Sequence, residues 1–216
     1  MVYMITLRKS FLHMDNIIYY IFSALSLLIA ITIHEFSHAL AADKLGDPTP
    51  RSEGRLTLNP LKHLDPLGTL MLLVARFGWG KPVPVDSYNF KNPRRDELIV
   101  AFSGPLSNLL LAVLVSLLLS FTSFNFLILS FLFTLVQLNL VLAIFNLIPI
   151  PPLDGSKILF NLLPVDTSAQ WQEALEKYGS ILLIAAVFLP IYKNSTLVDL
   201  VISPTLSFLS KLLLPF

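Results

Sequence analysis

An almost unbroken apolar run from Ile17 to Ile33 passes straight into His34, Glu35 and His38, and its helical pattern persists to about Ala42. That is some 26 residues, more than the roughly twenty that cross a bilayer. It is also longer than a signal-peptide core and lacks a small-residue cleavage site, so it predicts a retained first transmembrane helix behind a short leader, 1–16, that carries Arg8 and Lys9. Leu98–Phe121 and Phe124–Phe145 are two further spans joined only by Thr122 and Ser123, which predicts an antiparallel hairpin. Between Asp43 and Glu97 prolines and glycines punctuate the chain, as in loops and short strands. Within it, Leu67–Phe77 is apolar but only about eleven residues long, too short to cross, and reads as re-entrant or interfacial. Lys81-Pro82-Val83-Pro84-Val85 alternates like a strand, but its two prolines confine it to an edge.

Pro149, Pro151 and Pro152 exclude a helix from Asn146 to Gly155. A polar stretch, Asp166 to Lys177, then leads to an apolar run, Ile181–Tyr192, and a weaker one, Leu197–Phe216, interrupted by Asp199, Pro204 and Lys211. These fit either one broken span or a span with an interfacial helix. The expected fold is an all-α polytopic membrane protein of about four to six transmembrane helices, with a re-entrant segment and a short edge strand or hairpin near the active site. It forms one domain over 1–216, with its core in 17–165 and C-terminal helices in 178–216.

Composition agrees: 55% of residues are apolar and 13% charged, against about 25% charged in soluble domains. Fifteen basic and fourteen acidic residues leave a net charge of +1, which gives no reason to expect a nucleic-acid partner. The absence of cysteine excludes disulfides, thiolate metal sites and thiol nucleophiles, so a metal would have to use His, Asp or Glu.

His34-Glu35-Phe36-Ser37-His38 reads H-E-x-x-H. On a helix, residues at i and i+4 share one face, so the two imidazoles can share a zinc ion while Glu35 stands beside them as a candidate base. An acidic residue inside a transmembrane helix costs about 2.5–3.5 kcal/mol on insertion scales, which argues for a use rather than idle hydrogen bonding. A catalytic zinc needs a third protein ligand and an open position. His63, Asp65 and Asp154 are the candidates. Asp154 is favoured because irregular backbone at membrane depth is tolerated where it lines a cavity; His63 and Asp65 fit turn and capping roles.

H-E-x-x-H late in an apolar helix, followed by Asn146-x-x-Pro149-x-x-x-x-Asp154-Gly155, resembles the site-2 protease family of intramembrane zinc metalloproteases. Gly54-Arg55-Leu56-Thr57-Leu58-Asn59-Pro60 and Gly104-Pro105-Leu106-Ser107-Asn108 are similar to segments of its small members, so the likeness covers about 17–165. Unlike some relatives, the chain has no inserted PDZ-like or CBS-like domain. The resemblance implies one zinc held by His34, His38 and Asp154, Glu35 as the catalytic base, Asn146 near the substrate, and a transmembrane protein as that substrate. Two alternatives use the same cluster: a membrane metal-ion transporter, and another H-E-x-x-H membrane protease such as a prenyl-protein endopeptidase.

The ligands meet only if Leu67–Phe77 does not cross. The first and third spans then finish on one side, and His34 lies about 26 Å along its helix toward that side. Nine Lys and Arg in 43–97, with Lys157 and Lys177, stand on that side against Arg8 and Lys9 on the other. The positive-inside rule therefore turns the zinc end toward the cytoplasmic face of a cell membrane. The Lys81–Val85 edge is expected to pair with unwound substrate by β-augmentation, with Gly78-Trp79-Gly80 as its hinge.

Overall fold

The structure, a computed structural model, describes residues 16–75, 78–121, 124–192 and 195–214, without the side chains of 16 and 72–75. The leader with Arg8 and Lys9 and the Thr122-Ser123 turn lie outside the described residues.

Among the described residues, three helices are long and apolar enough to cross a membrane: α1 (Asn16–Leu45), α4 (Pro93–Phe121) and α5 (Phe126–Asn146). They pack against one another and correspond to the three long runs of the sequence. Asn125 caps α5 by accepting from the Ile128 amide at 3.0 Å. The ends of α4 and α5 toward their connection share a cluster of Ala112, Val115, Leu119, Leu129, Leu135, Val136 and Leu140, closed by Leu214. In lipid such contacts hold by close packing rather than by water exclusion.

The C-terminal region forms two helices, α7 (Val165–Phe188) and α8 (Leu197–Leu213). Between them Pro190–Tyr192 (β1) and Ser195–Thr196 (β2) form a small antiparallel sheet. Thr196 and Asp199 make a capping box that starts α8 afresh. The C-terminal apolar stretches are thus two separate helices. Neither helix belongs to the set long and apolar enough to cross: the first half of α7 is polar, and α8 has only 17 residues, interrupted by Asp199, Pro204 and Lys211.

Before α4 the chain makes α2 (Thr49–Ser52), a 3₁₀ turn at Pro60–Lys62 and α3 (Pro66–Ala75). α3 has ten residues, about 15 Å of helix. Leu64 and Gly80 form an antiparallel bridge, so the segment returns to where it left. Gly68 packs so tightly on the returning chain that a Cβ there would lie 2.1 Å from the Trp79 carbonyl oxygen. Among the described residues this short helix and the Leu64–Gly80 bridge make an out-and-back excursion, the shape expected of a segment too short to cross.

Lys81–Val85 runs extended but is not a strand of a sheet; the one sheet among the described residues is β1–β2. Prolines 82 and 84 supply no N–H, and four of the remaining backbone groups are taken up internally. Lys81 N–H donates to His63 O at 2.8 Å, Arg55 donates to the Lys81 and Pro82 carbonyls, and Val83 N–H donates to Glu35 Oε2 at 3.1 Å. Up to Val83 the stretch is a strip fastened to its surroundings rather than an open edge.

Candidate metal centre

His34 and His38 stand one turn apart on α1, both buried, with ring centroids 4.6 Å apart. Each ring is aimed by its Nδ1. His34 Nδ1–H donates to Asn108 Oδ1 at 2.6 Å, and His38 Nδ1–H donates to the Val100 carbonyl at 2.7 Å. Both acceptors belong to α4, where the long apolar run gives way to Ser103–Asn108. Asn108 is itself oriented, donating through Nδ2 to Ala30 O at 3.0 Å and Asn139 Oδ1 at 2.9 Å. Gly104 makes room for the rings: a Cβ there would lie 2.3 Å from His38 Nε2 and 2.7 Å from His34 Cε1.

With Nδ1 protonated on both rings, the Nε2 atoms present lone pairs. They face Asp154 Oδ2 at 3.0 Å from His34 and 3.1 Å from His38, and lie 3.1 Å from each other. Three electron-pair donors converge with no donor hydrogen between them. A tetrahedral zinc with bonds of about 2.0–2.1 Å needs ligand atoms about 3.3 Å apart. The cluster, the one set of three potential ligands found among the described residues, therefore fits a single metal ion.

Asp154 opens α6 (Asp154–Leu162), where the positive end of a helix favours a carboxylate. α6 is moored to α4: Arg94 donates to the carbonyls of Phe160, Asn161 and Leu163, and Glu97 accepts from Asn161 Nδ2 at 3.1 Å. Gly155 lets the start of α6 press on the proline-broken loop, where a Cβ would be 2.3 Å from Leu147 O. Thus residues 120 positions apart in the chain meet because α1 and α5 end on the same side.

Glu35, half-buried, lines the same cavity as the three ligands, a space of about 750 Å³. Its Oε2 is held by the Val83 amide. Asn146 also lines the cavity, while its Nδ2 donates to Leu142 O on its own helix at 3.0 Å. Trp79, Val85, Phe145 and Leu183 make most of the wall apolar. His63 and Asp65 are elsewhere: His63 Nε2–H donates to Thr57 O at 2.8 Å, and Asp65 Oδ1 accepts from Gly68 N–H at 2.7 Å, capping α3. Sequence reasoning missed the work of Gly104, Asn108 and Arg55. The signal for the first two was the polar interruption of an otherwise aliphatic span; Arg55 had none beyond its motif.

Two histidines and a carboxylate with a separate glutamate at their side, set in a bundle of membrane-length helices, define a metallohydrolase centre of the intramembrane class. The chain matches Peptidase family M50 over residues 122–189, a stretch that includes Asn146 and Asp154. It is 42% identical to YwhC of Bacillus subtilis over 192 residues, 82% of this chain and 87% of that protein. Rip2 of Mycolicibacterium smegmatis is 33% identical over 175 residues, 76% of this chain and 65% of that protein. MJ0392 of Methanocaldococcus jannaschii is 28% identical over 150 residues, 69% of this chain and 37% of that protein. All three carry zinc-metalloprotease names. No solved structure matches the chain. The chain belongs to peptidase family M50, the site-2 protease family, and is an intramembrane zinc metalloprotease.

Proposed function

We propose that this protein cleaves a transmembrane helix near the cytoplasmic face of a cell membrane, with His34, His38 and Asp154 holding the zinc and Glu35 moving the proton. The observation that carries the reading is the convergence of two Nε2 lone pairs and one carboxylate oxygen within 3.1 Å of one another, beside a glutamate that is not part of the cluster. A zinc ion held there supplies electrophilic help to the scissile carbonyl and acidity to the attacking water. Glu35 accepts the proton of that water and returns it to the leaving amine. Asn146 turns from Leu142 O to donate to the substrate backbone or to the developing oxyanion.

Substrate helices have their backbone groups paired internally, and each one freed in hydrocarbon costs several kcal/mol unless it is paired again. The cavity wall offers a partner in the 81–85 strip. Since the Val83 amide faces Glu35, the pairing position left is at Val85. Val85→Pro is expected to slow cleavage about tenfold without loss of zinc. The eleven basic residues on the metal side support the cytoplasmic assignment.

The decisive experiment incubates the purified chain with helical transmembrane peptides and identifies products by mass, with a chelator control. Internal cleavage abolished by chelation supports the reading. Metal-dependent ion flux into proteoliposomes without peptide cleavage would overturn it.

A further inference from the structure

Arg55 is 3% exposed, yet none of the ion pairs among the described residues includes it. Glu35 and Glu53 are close enough for their charges to act on it, but neither pairs with it directly; a buried guanidinium without a paired carboxylate is expensive, so its hydrogen bonds indicate what it is for. It donates through Nη1 to Pro82 O at 2.9 Å and through Nη2 to Lys81 O. These are consecutive carbonyls of the strip that lines the metal cavity. The next amide along, Val83 N–H, is the group that holds Glu35 Oε2. The strip is anchored on both sides of this point, by His63 O on Lys81 N–H at 2.8 Å and by Asp47 Oδ2 on Asp86 N–H at 2.9 Å.

A planar guanidinium that grips two successive carbonyls fixes the peptide planes between them. Here those planes set the direction of the Val83 amide. We propose that Arg55 is a positioning residue for the catalytic base: by clamping the Lys81 and Pro82 carbonyls it makes Val83 N–H hold one oxygen of Glu35. The other oxygen, Oε1, has no hydrogen-bond partner among the described residues and remains available to the attacking water. The proposal rests on the reading of Glu35 as proton acceptor. It assigns a chemical reason to an arginine 20 positions from Glu35, on a loop outside the spans.

The test uses the full chain in detergent, loaded with zinc, and the variants Arg55→Gln, Arg55→Lys and Val83→Pro. Three quantities are read: zinc per chain, hydrogen exchange of the 81–86 amides, and kcat and KM on a synthetic transmembrane peptide. Arg55→Gln should keep its zinc, exchange its Lys81 and Val83 amides about tenfold faster, and lose about a hundredfold in kcat with KM nearly unchanged, as expected when a reacting group is misplaced by about an ångström. Arg55→Lys should recover part of both. Val83→Pro removes the amide directly, so its kcat loss should match that of Arg55→Gln, and the double variant should be no worse than either single one.

Unchanged exchange and unchanged kcat in Arg55→Gln would overturn the proposal. So would zinc loss in proportion to activity, or additive losses in the double variant. Should Arg55→Gln not fold, Arg55→Lys and Val83→Pro still probe the same link, and the exchange measurement needs no substrate. Wild-type turnover by Glu35→Gln would remove the base assignment, while exchange in Arg55→Gln would still report whether the clamp exists.

Discussion

The two halves of α4 face different tasks with the same backbone. From Asp96 to Asn108 the helix carries two carboxylates, two serines, a glycine, a proline and an asparagine, and its polar atoms are spoken for: Val100 O and Asn108 Oδ1 aim the two imidazoles, and Gly104 clears the space between them. From Leu109 to Phe121 it is almost wholly aliphatic, and Ala112, Val115 and Leu119 pack into the cluster shared with α5 and closed by Leu214. One half gives up apolar packing for directional contacts; the other has almost nothing directional to lose. Substitutions in the first half should therefore alter metal binding and turnover, and those in the second should alter stability.

The sharpest break of that contrast is at the metal itself. Replacing His34, His38 or Asp154 by Ala should abolish tight zinc binding, measured as metal per chain after purification, and with it all activity. Gly104→Ala should come close to the same result although it removes no ligand, because its methyl carbon would sit 2.3 Å from His38 Nε2. Full zinc occupancy in Gly104→Ala would mean that α1 and α4 can separate freely, and the two halves of α4 would not differ as described. Next in size is Glu35→Gln. The amide is nearly isosteric and cannot take up the proton, so kcat should fall by about 10²–10⁴-fold at unchanged zinc content.

Much of this was legible in the chain because membrane spans and metal motifs are local patterns. The three long runs became α1, α4 and α5, and H-E-x-x-H placed both imidazoles on one helix face. Asp154 was legible through topology: a segment of eleven apolar residues cannot cross, so the first and third spans must end together. Less legible were features set by tertiary contact. The 81–85 alternation matched a strand, yet whether its edge is open depends on Arg55 and Glu35, which lie far from it in sequence. The capping box that separates α8 from α7 was by contrast open to reading, since Thr196-x-x-Asp199 ahead of an apolar run is a local helix-start signature.

On the packing side of the comparison, Leu140 is fully buried in the aliphatic cluster. Leu140→Ala should lower stability by about 2 kcal/mol, the lower end of the range for soluble cores, because lipid rather than water is the alternative environment. Thermal unfolding in detergent measures it. Activity per folded, zinc-loaded molecule should stay within about twofold of wild type; a large loss would show that the cluster transmits strain to the metal end.

The smallest expected effect tests where the metal end finds stability without an aliphatic core of that kind. Asp47, fully buried just beyond α1, accepts from the Thr49 amide and hydroxyl, the Asp86 amide and Asn89 Nδ2. Burial works against its charge, but these four donors outweigh it and hold the carboxyl below its ordinary value of 3.8. A depressed carboxyl contributes stability in full above its unfolded value and loses it as pH falls through the folded one. Asp47→Asn turns an NH₂ toward the Asp86 amide and should cost about 1–2 kcal/mol at neutral pH. In unfolding scans from pH 6 to pH 3, the gap between wild type and Asp47→Asn should narrow toward acid, because protonation takes from the wild type what the substitution has already removed. A gap of constant width over that range would mean that the charge of Asp47 contributes nothing, and that the loops at the metal end are held by shape alone.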